Sequence, residues 1–374
     1  MKIQFQILVL LLPILILPGC AQKKDGNADK GENQTNELKY ARQLKMYEQD
    51  GNTVAEIRLP GDSVKVWKRY IMVPKGGKEP AADKETTVIH TPLKSAVVYT
   101  SVHAAAIDEL GRAGIIKGVI DAGFFRLPYV VEGLKNKTIA DIGPIASPST
   151  EKVMDLSPDV IIANQYDGVD FKGIDRLGIP MVYMAENFEE TPLGRAEWIK
   201  FIGALIGERA KADSIFNVTA SNYNRLKEKS AKNQHRPKVM FDNMYQGVWY
   251  MAGGGSYQAR MIADAGGNYA FADDKSAGSL SLTFEQVLDK CADSDIWILK
   301  LFGTSDLDKA GLMKMDSRYT HFAPVEKGGV FFCDTSASNI FDETPFHPDL
   351  LLQDYAGIFS GDFSSLRYYK QMKP

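Results

Sequence analysis

Eight aromatic side chains stand just beyond short apolar runs of this 374-residue chain: Tyr99, Phe124, Phe125, Tyr166, Trp249, Tyr250, Tyr257 and Phe302. Ser101 and Asn243 lie in the same stretches and add a hydroxyl and an amide. Rings grouped with a few polar atoms suit a large, partly apolar, planar or ring-shaped ligand, such as a corrinoid, a porphyrin or a catecholate chelate. Taken singly, each ring is more readily explained as core; the group points to a binding surface. Arg126, Arg260 and Lys300 are the cations near these stretches, few for a strongly anionic ligand. His103 is placed either to reach the iron or cobalt of a chelate as an axial ligand or simply to bond within a helix start. His90, His103, His235, His321 and His347 are too scattered to converge on zinc or manganese, so neither a directly bound metal nor a cofactor is expected.

Catalytic patterns point the other way. Gly253-Gly254-Gly255-Ser256 follows an apolar run, but neither of the glycine-rich phosphate-binding patterns is present. The strand–turn–helix serine motif and the two-histidine zinc motif are missing as well. Binding rather than catalysis is the expectation. A net charge of -3 with 24% charged residues leaves no basic tract for nucleic acid. The cysteines Cys20, Cys291 and Cys333 have no metal spacing; the last two read as buried thiols that an oxidising compartment would allow to pair.

The elements that must position these residues alternate. Apolar runs at 96–100, 115–120, 159–163 and 181–184 are separated by helical patterns, with Ser101 expected to cap the first helix. The pattern restarts with runs at 238–241, 248–251, 296–300 and 330–333, and closes with a helix over 348–359. Such alternation predicts parallel sheets, whose ligands sit beyond the carboxyl ends of the strands. Between the two halves lies the stretch 191–232. Thr191-Pro192 is a helix start, and Ala212, Ile215, Phe216, Thr219, Tyr223 and Leu226 form a helical stripe after Gly207. The expected fold is α/β, with two Rossmann-like lobes bridged by one long rigid α-helix and a ligand cleft between the lobes. A small echo joins the halves: Glu151 to Asp155 leads into Asp159-Val-Ile-Ile, and Glu285 to Asp289 into Asp295-Ile-Trp-Ile.

The start of the chain sets the compartment. Lys2 precedes an apolar run from Ile7 to Leu17, too short for an ordinary membrane span, which ends in Leu17-Pro18-Gly19-Cys20. This resembles a bacterial lipobox, which implies that Cys20 is acylated and anchors the chain to a membrane, facing the periplasm or the outer face of the cytoplasmic membrane. The expected organisation is a signal peptide over 1–20, a flexible tether over 21–36 and a small β-rich extension over 37–94. A lobe over 95–190, connecting helices over 191–236 and a second lobe over 237–374 complete it.

Four stretches then resemble one family. They are Glu151 to Ile162, Trp249 to Ser256, Ile262 to Asn268, and Leu282-Thr-Phe-Glu285. They resemble the iron-complex and cobalamin substrate-binding proteins of ABC importers, from about Ser95 to the closing helix. The resemblance implies capture of a metal chelate (cobalamin, ferric siderophore or haem) and delivery to a permease dimer with its ATPase subunits. It also implies that Glu151 and Glu285, one on each lobe, dock onto permease arginines; without it, each reads as a carboxylate at a helix start. A lipid-anchored binding or sensor protein without a cognate permease is the alternative.

Overall fold

The computed structural model describes residues 35–58, 65–164 and 171–374. Cys20, most of the expected tether, and Tyr166 lie outside the described residues. The five parallel strands of the first lobe are ordered in space Ala140–Asp141, Ile116–Val119, Ala96–Val98, Val160–Asn164, Met181–Met184. The first strand in sequence is therefore central, and the chain reverses direction across the sheet on either side of it. That reversal opens a crevice at the carboxyl ends of Ala96–Val98 and Val160–Asn164. In the second lobe Lys238–Phe241 lies between Asn268–Tyr269 and Ile296–Leu301, so the reversal falls between Lys238–Phe241 and Ile296–Leu301. Val330–Asp334 continues that sheet in parallel, and Lys370–Gln371 closes it antiparallel.

The echo between the lobes has a physical basis. Asp159 accepts the backbone N–H groups of Lys94 (2.6 Å) and Ser95 (3.1 Å), just before the central strand of the first lobe. Asp295 accepts that of Lys238 (2.8 Å), at the start of the corresponding strand of the second. Each acid ties the entry of its own strand to that of the neighbouring one.

The connecting stretch forms three helices: Pro192–Glu197, Ile199–Ile206 and Arg209–Ser230. Thr191 caps the first, accepting from the Gly194 N–H at 3.0 Å. The break at Gly207 is conformational: its φ of 78° is left-handed, which glycine adopts without strain. The 22 residues of the last helix span about 33 Å at ~1.5 Å per residue. Ala212, Phe216, Thr219, Ala220 and Tyr223 are its buried stripe, set against Ile199–Ile206 and the closing helix Pro348–Ser360. Its outer bonds fix it to the second lobe, with Tyr223 donating to Asp264 at 2.9 Å and Asn222 to Asp349 at 3.2 Å. None of the helices among the described residues is long and apolar enough to cross a membrane.

Residues Leu44–Gln49, Asn52–Ile57, Lys68–Pro74 and Thr86–Thr91 make a separate four-stranded sheet, with the last two strands parallel. Thr86–Thr91 and Leu44–Gln49 carry no clean apolar alternation and were not legible as strands. The sheet packs on the edge of the first lobe: the Tyr70 hydroxyl donates to the Met181 carbonyl (3.1 Å) and accepts from the Tyr183 N–H (2.9 Å). Its leading segment is held by two buried carboxylates. Glu197 accepts from the N–H groups of Lys39 (3.0 Å), Tyr40 (2.6 Å) and Ala41 (2.9 Å). Glu189 accepts from those of Arg42 (2.9 Å) and Gln43 (2.9 Å), and from the Trp198 indole (2.9 Å). Burial pushes the Glu189 carboxyl up, offset in part by these donors.

The lobes also touch directly. The Ser101 hydroxyl donates to Asp342, and His347 joins Glu109 of the first lobe at 2.8 Å while its Nδ1 lies 3.3 Å from Thr219 of the long helix. Burial opposes protonation of His347, but Glu109 outweighs it and raises its pKa above 6.5.

Two outcomes follow from these contacts. Glu197→Ala leaves three backbone donors unmatched and is expected to lower the stability to unfolding by about 3 kcal/mol or more; a loss under about 1 kcal/mol in denaturant titrations contradicts the role given to this carboxylate. The His347–Glu109 bridge contributes fully below the ordinary histidine value of about 6.5 and is lost as pH rises through the higher folded value. The stability difference between the native chain and Glu109→Gln should therefore be larger at pH 6 than at pH 9. A difference independent of pH contradicts the assignment.

Candidate functional site

At the crevice of the first lobe lies a cavity of about 210 Å³. Its wall includes Tyr99, Ser101, Asp121, Phe124, Phe125 and Asn164. Four of the residues expected from sequence thus meet here: Tyr99, Ser101, Phe124 and Phe125. They do different things. Phe124 is 74% exposed and presents its ring to the outside, whereas Phe125 and Tyr99 are largely buried and form the floor. Phe171 stands edge-on to Tyr99 with centroids 5.7 Å apart, and Ile120 and Ile145 complete the apolar lining. Asp121 is the one charged residue among the described lining residues, and its carboxylate accepts the Ile145 N–H at 3.1 Å. Desolvation pushes the Tyr99 phenol well above its usual range, so it stays a neutral hydroxyl.

The cap of the first helix is Thr100 rather than Ser101. The Thr100 oxygen accepts from the His103 N–H and Ser101 begins the helix, which frees the Ser101 hydroxyl for its bond to Asp342 in the other lobe. His103 is completely buried, with Nδ1 3.0 Å from Thr100 Oγ1 and Nε2 3.4 Å from Glu186 Oε1. Ring nitrogens enclosed by a hydroxyl and a carboxylate cannot reach a ligand metal; the hydrogen-bonded reading of His103 is the one that fits.

On the second lobe, Phe302 follows Ile296–Leu301 and is 77% exposed. Near the end of the same strand Lys300 forms an ion pair at 3.3 Å with Asp242, which follows the neighbouring strand Lys238–Phe241. Burial works against the Lys300 charge, but Asp242 prevails and raises its pKa. Asn243, half-buried, bonds to its neighbour's carbonyl at 3.2 Å. Tyr257 lies half-buried under the Arg195 guanidinium, 5.2 Å from its ring centroid.

Trp249 is not a surface ring. It is fully buried, its indole donates to the Phe241 carbonyl at 2.9 Å, and Trp297, Tyr319 and Phe322 surround it. The cause is strand alternation: in Val248–Ala252, Trp249 and Met251 face the core while Tyr250 faces outward. A run of Trp-Tyr after a strand start carries no mark of which ring turns in. Asn164 lies where the strand-end argument points, at the end of Val160–Asn164, whereas Phe171 and Ile145 were not expected as lining residues.

Glu151 and Glu285 are both exposed and both lie in the first turn of a helix, Thr150–Leu156 capped by Ser149 and Phe284–Cys291 capped by Thr283. Arg318 comes within 3.9 Å of Glu285 but is engaged by Asp316 at 2.7 Å. Cys291 and Cys333 are buried free thiols.

Known proteins agree with this architecture. A profile of the periplasmic binding protein family matches residues 119–337, more than half of the chain. An uncharacterized lipoprotein of Methanocaldococcus jannaschii is 26% identical over 353 residues, covering 84% of this chain and 83% of its own. A periplasmic heme-binding protein from Pseudomonas aeruginosa superimposes with a TM-score of 0.56 at 16% identity, over 75% of this chain and 99% of its own. An ABC-type Fe3+-hydroxamate transport protein from Saccharomonospora viridis does so with a TM-score of 0.54 at 17% identity, over 72% and 93%. With two α/β lobes, a long connecting helix and a profile match that runs from one lobe into the other, the chain belongs to the periplasmic binding protein family.

Proposed function

We propose that this chain is the substrate-binding lipoprotein of an ABC importer, holding a metal chelate between its lobes and passing it to a permease dimer with its ATPase subunits. The observation that carries this reading is an exposed phenylalanine beyond a strand end of each lobe: Phe124, in the wall of the first-lobe cavity, and Phe302 from the second lobe. Exposed rings of that size are expensive in water unless a ligand covers them, and flat faces of a chelate are suitable cover. The ligand contacts in this reading are Tyr99, Ser101, Phe124, Phe125, Asn243, Tyr257 and Phe302, with Tyr250 and Tyr166 retained from the sequence; Trp249 supports them from the core. Cys20 carries the lipid, and residues 21–36 tether the folded body to the membrane. The β-rich extension over 37–94 stiffens the first lobe. The protein acts by binding, not catalysis, and nucleic acid has no part in it.

In this reading Glu151 and Glu285 dock the loaded protein onto permease arginines. Two carboxylates carried on one stiff body supply register as well as attraction. Converting both to alanine is expected to abolish chelate uptake by cells while leaving affinity unchanged; lost affinity in the double variant places the acids in the cleft instead. For the cargo, tyrosine and tryptophan emission should be quenched saturably by at least one of cobalamin, haem and a set of ferric siderophores. Absence of quenching by all of them removes the chelate reading.

A further inference from the structure

Arg195 stands where the two sheets bring their carboxyl ends together. Its helix, Pro192–Glu197, packs on the 186–188 turn of the first lobe and on the helix Tyr257–Asp264 of the second. On the first-lobe side, Glu186 lies just past the strand Met181–Met184 and accepts from Asn164, the last residue of Val160–Asn164, at 3.2 Å. On the second-lobe side, the Arg195 guanidinium lies over Tyr257, 5.2 Å from its ring centroid. Tyr257 is in turn near Lys300, close to the end of Ile296–Leu301 and paired with Asp242.

The guanidinium is short of partners. Arginine offers five N–H donors in a planar fork. The Nε of Arg195 is buried without a hydrogen bond, and among the described residues no hydrogen bond or ion pair engages its outer nitrogens either. The side chain is only half-buried, which leaves those outer nitrogens open at the junction of the lobes. Glu186 does not meet the need. It feels the Arg195 charge, but its Oε1 is directed to Asn164 and His103, at 3.2 and 3.4 Å. A cation stacked on one ring and lacking oxygen partners is completed by an anionic group. The other cations near the strand ends are placed differently: Lys300 is engaged by Asp242, and Arg126 stands exposed near Asp342.

Resting on the chelate-binding reading above, we infer that Arg195 is the anion-binding residue of the cleft and that the cargo is a chelate bearing a carboxylate. Two carboxylate oxygens match the outer N–H groups of the fork, while Tyr257 holds its plane from the face. A neutral chelate leaves the fork unmatched and is disfavoured. Arg195 lies inside a helix of the connecting stretch, outside the strand-end loops, so only folding brings it to the junction.

The test uses the full-length chain in detergent and pairs of an acidic with a neutral chelate. They are haem with its dimethyl ester, dicyanocobyrinic acid with its heptamethyl ester, and ferric aerobactin with ferrichrome. The native protein should bind the acid of at least one pair about tenfold or more tighter than its neutral partner, the range of a charge-assisted hydrogen bond. The pair that responds identifies the class of chelate. Arg195→Gln should bring that ratio near one by weakening the acid alone, with the circular dichroism unchanged; a merely structural role weakens both members equally. Where Arg195→Gln does not fold, Arg195→Lys keeps a charge beside Glu186 but loses the fork, and should lower the ratio about threefold or more. A native ratio near one in every pair, a preference for the neutral members, or a ratio unchanged in these variants overturns the inference. Binding of ferrichrome or an ester without its acid overturns it and leaves the importer reading standing; binding of none of these chelates removes both.

Discussion

Two buried carboxylates, Glu189 and Glu197, set the frame of this molecule. They flank the start of the connecting helices and together accept the N–H groups of residues 39–43, a segment that enters before either lobe begins. A carboxylate enclosed in protein is tolerable when donors surround it, and backbone N–H groups cannot swing away as side chains do. The extension is thereby tied to the helical span, and through Tyr70 to the edge strand of the first lobe. The same device recurs at the far end, where enclosed Asp354 of the closing helix accepts from the N–H groups of Arg367, Tyr368 and Tyr369. The start and the finish of the described body are thus both pinned to helices that contact the long one.

With the frame fixed, the two lobes keep a constant setting. Ser101 with Asp342 and Glu109 with His347 join the lobes directly, and the long helix packs on both the closing helix and the helix before it. A hinge needs a few loop positions that can absorb large backbone rotations. Here the connection is helical from Pro192 to Ser230 with short breaks, and at its one left-handed glycine, Gly207, an added Cβ would lie 2.9 Å from the Pro92 Cβ. In the proposed function, binding in such a body resembles insertion between fixed jaws more than closure of a trap.

Much of this was legible in the sequence because its signals are local. Thr191-Pro192 capped a helix, Gly207 broke one, and the stripe from Ala212 to Tyr223 faced the core, since capping, left-handed backbone and helical period depend on near neighbours. The strand-end rule pointed to Tyr99 and Phe124, which line the first-lobe cavity, and to Phe302, which is exposed, for the same reason. What failed depended on distant partners. Ser101 was expected to cap because it follows an apolar run, but Thr100 one position earlier takes the role and Ser101 reaches Asp342, 241 residues away. Trp249 turned inward because of Trp297, Tyr319 and Phe322, which no local pattern announces. The contacts from Thr100 through His103 and Glu186 to Asn164 join three separate segments, so they appear only after folding.

Small-angle scattering of the protein alone and saturated with a bound chelate measures most directly whether the lobes are held apart by this frame. The account predicts nearly superimposable curves, with the radius of gyration altered little beyond the contribution of the ligand itself. A large fall in radius on binding contradicts it, and shifts the work of capture from fixed jaws to a moving hinge.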